Sequence, residues 1–149
     1  GATIANAKIM DWVGGSHAST FGGNPLSCVA ASAVIDVIKE ERLLENATKQ
    51  GAYILKRLEE LKEKSGIVGD VRGKGLMIGM EIVENKENKK PAPKHASEIM
   101  MRSWKRGVAV ITCGASTVRI APPLSITREL VDAALEIIED VVKEVEKEA

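Results

Sequence analysis

The sequence predicts an α+β fold in which a small, mainly antiparallel sheet is covered by amphipathic helices in two layers. Three observations support this prediction. Apolar residues recur at helical spacing in several separate segments, they alternate with a period of two in a glycine-rich segment near the middle, and two short strand-like runs flank a glycine-containing turn near the C-terminal end. With 149 residues, the chain is long enough to bury a core of its own.

The first elements in chain order are predicted to be helices. Residues 1–19 show no clean hydrophobic period and look like the end of an element that began upstream. Asn24 followed by Pro25 is typical of a helix start, because asparagine caps the first amides and proline suits the first helical position. We expect one helix over residues 25–41 and a second over residues 44–64, each with an apolar face against a core.

The middle of the chain changes from helical spacing to alternation. Residues 69–83 place apolar side chains at every second position, which predicts a strand. The polar, proline-containing segment 84–94 is typical of an exposed loop. A third helix, marked by Ile99 among other apolar residues, is expected to end at Gly107.

The last third is predicted to complete the sheet and cover it. Residues 108–112 and 117–121 are expected to form two short strands around a turn, and Pro122-Pro123 ends the sheet. Thr127 is the expected cap of a final amphipathic helix, whose buried face is expected to include Leu130, as that of the second helix is expected to include Leu44.

Composition argues against several classes of protein. Lys and Arg number 21, as do Asp and Glu, and no basic block is present, so nucleic-acid binding is not expected. No apolar run approaches the ~20 residues of a membrane span and no signal-peptide pattern is visible, which favours a cytoplasmic protein without a membrane partner. Cys28 and Cys113 lack metal-ligand spacing and are expected to be buried, reduced thiols, with no metal site. Heavy use of Glu and Lys with a single glutamine favours a heat-adapted source.

The first candidate site lies just before the first helix. Ser19 and Thr20 precede Gly22-Gly23 and the capped helix start at Asn24. Hydroxyls, glycine backbone amides and a helix N-terminus together suit a bound phosphate. The alternative is a glycine-rich turn that only caps the helix.

The second candidate site is Arg119. It alternates with Val118 and Ile120 in a predicted strand, so its guanidinium should leave the sheet on the opposite face. A planar guanidinium held on a strand can bind a carboxylate through two parallel hydrogen bonds. The alternative is a structural arginine that pairs with a residue such as Glu81 or caps the sheet.

Three motifs carry a resemblance to a known family. The segments STFGGNPLSC, VRGKGLMIGMEI and VRIAPPLSIT occur in the order and at the intervals found in the C-terminal third of class III aminotransferases, which have the fold-type-I architecture and use pyridoxal phosphate. The resemblance covers nearly the whole chain. It implies that residues 1–24 end the large cofactor-binding domain and that residues 25–149 form the C-terminal small domain with its connecting helix.

The resemblance also implies roles for the candidate residues. Thr20 matches the hydroxyl that binds the cofactor phosphate of the opposite subunit in a homodimer, and Ser19 matches the residue beside it. Arg119 matches the arginine that meets the substrate carboxylate or a gating glutamate. The lysine that bonds to the cofactor, its acidic partner and the glycine-rich phosphate segment belong to the large domain in this family and are not found here, so we assign no catalytic residue and expect this chain alone to be inactive.

The expected activity of the intact protein is transfer of an amino group between an amino acid and a 2-oxo acid. The resemblance is strongest to enzymes acting on 4-aminobutyrate and other ω-amino acids. Two alternatives stay open: an amino-acid racemase of the same family, and a non-catalytic dimerisation module.

Overall fold

The computed structural model describes residues 1–148 and divides the chain into two compact units, residues 1–42 and the remainder from Leu43. The first unit contains helix α1 (Pro25–Glu40). The elements of the second unit are α2 (Leu43–Lys64), β1 (Val68–Lys74), β2 (Met77–Ile82), α3 (Pro93–Lys105), β3 (Ile111–Cys113), β4 (Thr117–Ile120) and α4 (Arg128–Lys147). The α+β prediction is confirmed.

The four strands form one sheet in the order β1-β2-β4-β3, and every neighbouring pair is antiparallel. One face of the sheet, which we call the inner face, is buried under the helices of the second unit. The core consists of sheet residues such as Met80 and Val118 together with helix residues such as Leu58, Ile99 and Ile138. The opposite, outer face carries the polar side chains considered below.

The predicted single strand over residues 69–83 is wrong, because this segment is a hairpin. Lys74 pairs with Met77 across a two-residue turn, Gly75-Leu76. Gly75 has a φ of 56° and Leu76 has no positive φ, which is the pattern of a type II′ turn. The hairpin shifts the alternation, since Val71 and Ile78 are both buried although they stand an odd number of residues apart.

The other boundaries move by a few residues. The first predicted strand of the last third begins at Ile111 instead of 108, and α3 begins at Pro93, inside the predicted loop. Thr127 caps α4 as expected, with its side chain accepting a hydrogen bond from the Leu130 amide. Leu44 and Leu130, which helical spacing placed on buried faces, are exposed because Leu43 and Val131 occupy the inward positions.

Helix α1 has the predicted bounds and cap but no buried face. Val29 is 69% exposed and Val34 is 58% exposed, and no residue of α1 is buried. Cys28 and Cys113, expected to be buried, are also exposed. Within the described residues, no helix is long and apolar enough to cross a membrane.

Candidate functional site

The outer face of the sheet presents Arg119 to solvent. Its neighbours Val118 and Ile120 are buried on the inner face, so strand alternation directs the guanidinium outward as predicted. Directly opposite Arg119 on β2 stands Gly79, whose missing side chain leaves the surface between β1 and β4 open. A cavity of about 720 Å³ lies over this face, and Arg72, Gly79 and Arg119 are among its lining residues.

The alternative partner for Arg119 is engaged elsewhere. Arg72 on β1 donates through Nη1 to Glu81 Oε2 at 2.7 Å and to Asp70 Oδ2 at 2.7 Å. The guanidinium of Arg119 makes no hydrogen bond or ion pair with any group in the described part of the chain. The pairing of Arg119 with Glu81 that the sequence left open is therefore absent, and the guanidinium is available to a carboxylate.

Arg72 and Arg119 have different electrostatic surroundings although both lie on the outer face. The hydrogen bond to Asp70, followed by that to Glu81, raises the pKa of Arg72, which stays fully charged. Because one guanidinium faces two carboxylates, the group formed by Arg72, Asp70 and Glu81 has a net negative charge and does not attract a further anion. Arg119 and Lys74 both line the cavity and have no ion pair in the described part of the chain, and of these two cations Arg119 carries the planar guanidinium that can bind a carboxylate through two parallel hydrogen bonds.

The Ser19-Thr20 segment forms an exposed turn ahead of α1. The Gly22 amide donates to the Ser19 carbonyl at 3.3 Å, and Gly23 has a φ of 74°, a conformation that favours glycine. The Asn24 side chain accepts from the Leu26 and Ser27 amides at 3.1 and 3.2 Å. Two N–H groups at the helix start are thus already paired with the Asn24 side chain, which is the cap that the sequence predicts.

The hydroxyls of this turn remain as the candidate phosphate donors. Both Ser19 and Thr20 are exposed, and neither side chain has a hydrogen-bond partner within residues 1–148. Two neutral hydroxyls fit the edge of a phosphate site, but a dianionic phosphate needs further donors. Ser19 and Thr20 belong to the first unit and Arg119 to the second, so the structure describes these two parts of the candidate site separately.

A second groove, of about 300 Å³, lies between α2 and α4 and contains none of the predicted site residues. Within it Arg57 contacts Glu139 at 2.7 Å, and Glu146 accepts hydrogen bonds from the Ser65 hydroxyl and the Gly66 amide, so these groups join the two helices and the segment after α2. We therefore interpret this groove as a helix-packing feature. The described residues contain no cluster of His, Cys, Asp and Glu that could hold a metal ion.

The Arg72-Asp70-Glu81 group is the part of the site that sequence reasoning missed. Arg72 was assigned only to a structural strand. The available signal was the phase change between Val71 and Ile78, which indicates a turn at Gly75 and would have placed Arg72 opposite Gly79.

Comparison with known proteins identifies the family. Residues 1–142 match the family described as aminotransferase class-III. The chain belongs to this family. An alanine/serine racemase from Pyrococcus horikoshii is 45% identical over 95% of the chain and 30% of its own length. An acetylornithine aminotransferase from Caldanaerobacter subterraneus is 38% identical over 97% of the chain and 35% of its own length.

Solved structures of transaminases share the fold. A thermostable (S)-enantioselective ω-transaminase from Thermomicrobium roseum matches with a TM-score of 0.80 and 36% identity, over 91% of this chain and 30% of that protein. Members of the family are pyridoxal-phosphate-dependent enzymes. The chain spans about a third of the length of the relatives it matches.

Proposed function

We propose that the protein containing this chain is a pyridoxal-phosphate-dependent aminotransferase, which moves an amino group between an amino acid and a 2-oxo acid. The observation that carries the proposal is the unpaired guanidinium of Arg119 on an open sheet face, combined with membership of the family. Both an amino acid and a 2-oxo acid carry a carboxylate, so one arginine can bind the donor and the acceptor in turn.

In this proposal the chain binds and orients, and the reacting groups lie outside it. Arg119 holds the substrate carboxylate through two parallel hydrogen bonds and thereby fixes the position of the amino or oxo carbon. Ser19 and Thr20 donate hydroxyl hydrogen bonds to the phosphate of the cofactor, which supplies the electron-withdrawing ring needed for the chemistry. The lysine that bonds to the cofactor is expected elsewhere in a homodimer of the longer protein, where residues 1–24 end the large domain.

Two reactions are candidates for this site. The first is transamination of 4-aminobutyrate or another ω-amino acid. The second is amino-acid racemisation, which the 45% identity to an alanine/serine racemase favours. The two reactions use the same carboxylate contact and differ in whether the amino group leaves the substrate.

The test is an assay of the full-length protein with pyridoxal phosphate and 2-oxoglutarate, using 4-aminobutyrate and, in separate reactions, single-enantiomer α-amino acids. Transamination predicts stoichiometric formation of a new oxo acid and glutamate, whereas racemisation predicts the mirror-image amino acid without net oxo-acid formation. The 149-residue polypeptide, assayed in parallel, should give neither product. Absence of both products from the correctly folded, cofactor-loaded full-length protein would overturn the proposal.

A further inference from the structure

We propose that Arg72 is a positioning residue that holds Glu81 away from Arg119 and so keeps Arg119 available to the substrate carboxylate. The inference rests on the proposed role of Arg119 in carboxylate binding. It assigns a function to the ion-pair group on the outer face, beyond joining β1 to β2.

The register of the sheet places Glu81 within reach of both arginines. Arg72 and Arg119 stand directly opposite Gly79, one on each side of β2. Glu81 is two residues further along β2 on the same face, so each arginine is its diagonal neighbour. Diagonal neighbours across antiparallel strands lie about 7–8 Å apart at Cα, a distance that glutamate and arginine side chains span easily. Glu81 thus has one arginine within side-chain reach on each side of β2.

Additional contacts of the Arg72 side chain stabilise its ion pair with Glu81. Its Nη1 atom contacts Asp70 as well as Glu81, each at 2.7 Å, and its Nη2 atom lies 3.4 Å from Thr117 Oγ1 on β4. The side chain therefore reaches across β2 to β4.

Loss of Arg72 would free Glu81 to pair with Arg119. An intramolecular carboxylate on Arg119 competes with the substrate carboxylate for the same guanidinium, because the two hydrogen-bonding edges cannot be shared fully. The expected defect is weaker binding of carboxylates, with the rate at saturation preserved. A loss of folding alone would instead reduce the amount of active protein without changing the affinity of what remains.

The experiment measures the Kd of glutarate, a carboxylate that cannot react, by calorimetry on full-length, cofactor-loaded protein, with KM and kcat for a substrate alongside. Arg72→Gln should raise the Kd and KM by about fivefold, the strength of an exposed competing ion pair. Arg72→Gln combined with Glu81→Gln should restore the Kd to within about twofold of the original. A crystal structure of Arg72→Gln should show Glu81 and Arg119 within about 4 Å.

A matched control separates pairing from a general field effect. Asp70 carries the same charge as Glu81 and contacts the same guanidinium, but it lies one strand further from Arg119. Arg72→Gln with Asp70→Asn should therefore remain defective, and equal rescue by Asp70→Asn would overturn the inference. A normal Kd in Arg72→Gln would also overturn it. If Arg72→Gln does not fold, Arg72→Lys replaces it. The Kd should then rise by less, and Glu81→Gln should again restore the Kd whereas Asp70→Asn should not.

A third variant distinguishes this inference from the proposed function. Arg119→Leu should weaken glutarate binding more than any change at Arg72. If Arg119→Leu binds glutarate normally, the proposed carboxylate site itself is wrong. If Arg119→Leu is defective but Arg72→Gln is not, only the positioning role is wrong.

Discussion

At the residue scale, the central feature is a guanidinium that has no partner on its own sheet. Arg119 is held by a strand whose neighbouring side chains are buried, so its position is fixed while its planar donors face solvent. Lysine at this position would offer a single charged centre in place of two parallel donors. The residue is therefore suited to recognise a carboxylate in one orientation.

Replacement of Arg119 tests this role. In the full-length protein, Arg119→Ala should lower kcat/KM for carboxylate substrates by an amount equivalent to about 2–5 kcal/mol, the cost expected if the bound substrate carboxylate is buried and left unpaired. Arg119→Lys should recover only part of the loss. Steady-state kinetics with several carboxylate substrates provide the measurement, and an unchanged kcat/KM for all of them in the alanine variant would contradict the assignment.

The orientation of Arg119 could be predicted from its alternation with Val118 and Ile120, but its lack of a partner could not. That property depends on Glu81 choosing Arg72, which in turn depends on the register of β1 against β2. If residues 69–83 are treated as one continuous strand, Gly79 has no partner within that segment. The pairing of β2 with β4, which brings Arg119 beside Gly79, joins segments distant in the chain and has no signal in local periodicity.

At the element scale, the β1-β2 hairpin is held against helix α2 by an unusually close backbone approach. A Cβ placed on Gly51 would lie 2.1 Å from the Gly75 carbonyl oxygen at the hairpin turn. Because Gly75 itself needs a positive φ, the turn has little freedom to retreat. Gly51 thus sets the distance between α2 and the strand that carries Arg72.

We expect Gly51→Ala to destabilise the 149-residue polypeptide by about 1–3 kcal/mol, the usual cost of overpacking. An ordinary helical glycine would give the opposite sign, since alanine is favoured by up to ~1 kcal/mol in helices. Urea unfolding followed by circular dichroism measures the change. Thr48→Ala, at an exposed position on the same helix, serves as the control and should shift stability by less than about 0.5 kcal/mol. A stabilised Gly51→Ala variant would refute the close-packing account.

A second element-scale prediction concerns the contact between α3 and the end of α4. Arg102 donates to Glu148 through Nη1 at 2.8 Å and Nη2 at 2.5 Å, and these bonds lower the pKa of Glu148. A carboxyl with a lowered pKa in the folded state contributes stability above the ordinary glutamate pKa of about 4.3, and this contribution disappears as the pH falls through the folded-state value.

Glu148→Gln should therefore reduce the urea midpoint slightly at pH 6, and the difference from the parent polypeptide should vanish near pH 3. Glu136→Gln is the control, because Glu136 is exposed and has no ion pair within the described residues. It should show no such pH-dependent difference. A Glu148 effect that stays constant over this pH range would contradict the assignment to the ion pair.

Element types were predictable where the apolar period was long, as in α2 and α4, and boundaries were less so. The sequence placed Leu44 and Leu130 on buried faces, yet both are exposed. Apolar spacing alone does not distinguish two faces of a helix that differ by one residue. The hairpin was missed for a different reason: a two-residue turn between apolar strands leaves few polar residues to mark it.

At the scale of the whole molecule, the two units differ in how much apolar surface they cover. The second unit has its own core, whereas α1 exposes Val29, Val34 and Val37. We propose that this surface is covered by other parts of the longer protein, in line with the expected assignment of residues 1–24 to the end of a large domain. The expected heat-adapted origin stays a prediction, and its direct check is the melting temperature of the full-length protein.

The family fold could be predicted from three motifs in order, because such motifs are specific when they occur together. The division after Arg42 could not, since the periodic apolar face of α1 looks like that of a buried helix. Whether such a face is buried depends on parts of the protein other than the helix itself.

We propose that this chain contributes to an active site completed by other segments of a homodimer. Thr20 is proposed to donate its hydroxyl to a cofactor phosphate held mainly by the other subunit, since its turn supplies too few donors for a dianion. Thr20→Val keeps the shape and removes the donor, and should cost about 1.5–3 kcal/mol of phosphate binding. Thr20→Glu adds a repelling charge and should inactivate the enzyme.

The most direct measurement mixes full-length Thr20→Glu protein with a full-length variant lacking the cofactor-bonding lysine, after verified subunit exchange. If Thr20 acts across the subunit boundary, each mixed dimer has one intact site and one doubly defective site, and random exchange should restore about a quarter of the original activity. If Thr20 acts within its own subunit, both sites of the mixed dimer are defective. No recovery of activity would therefore contradict the shared site and leave Thr20 as a residue of a local turn.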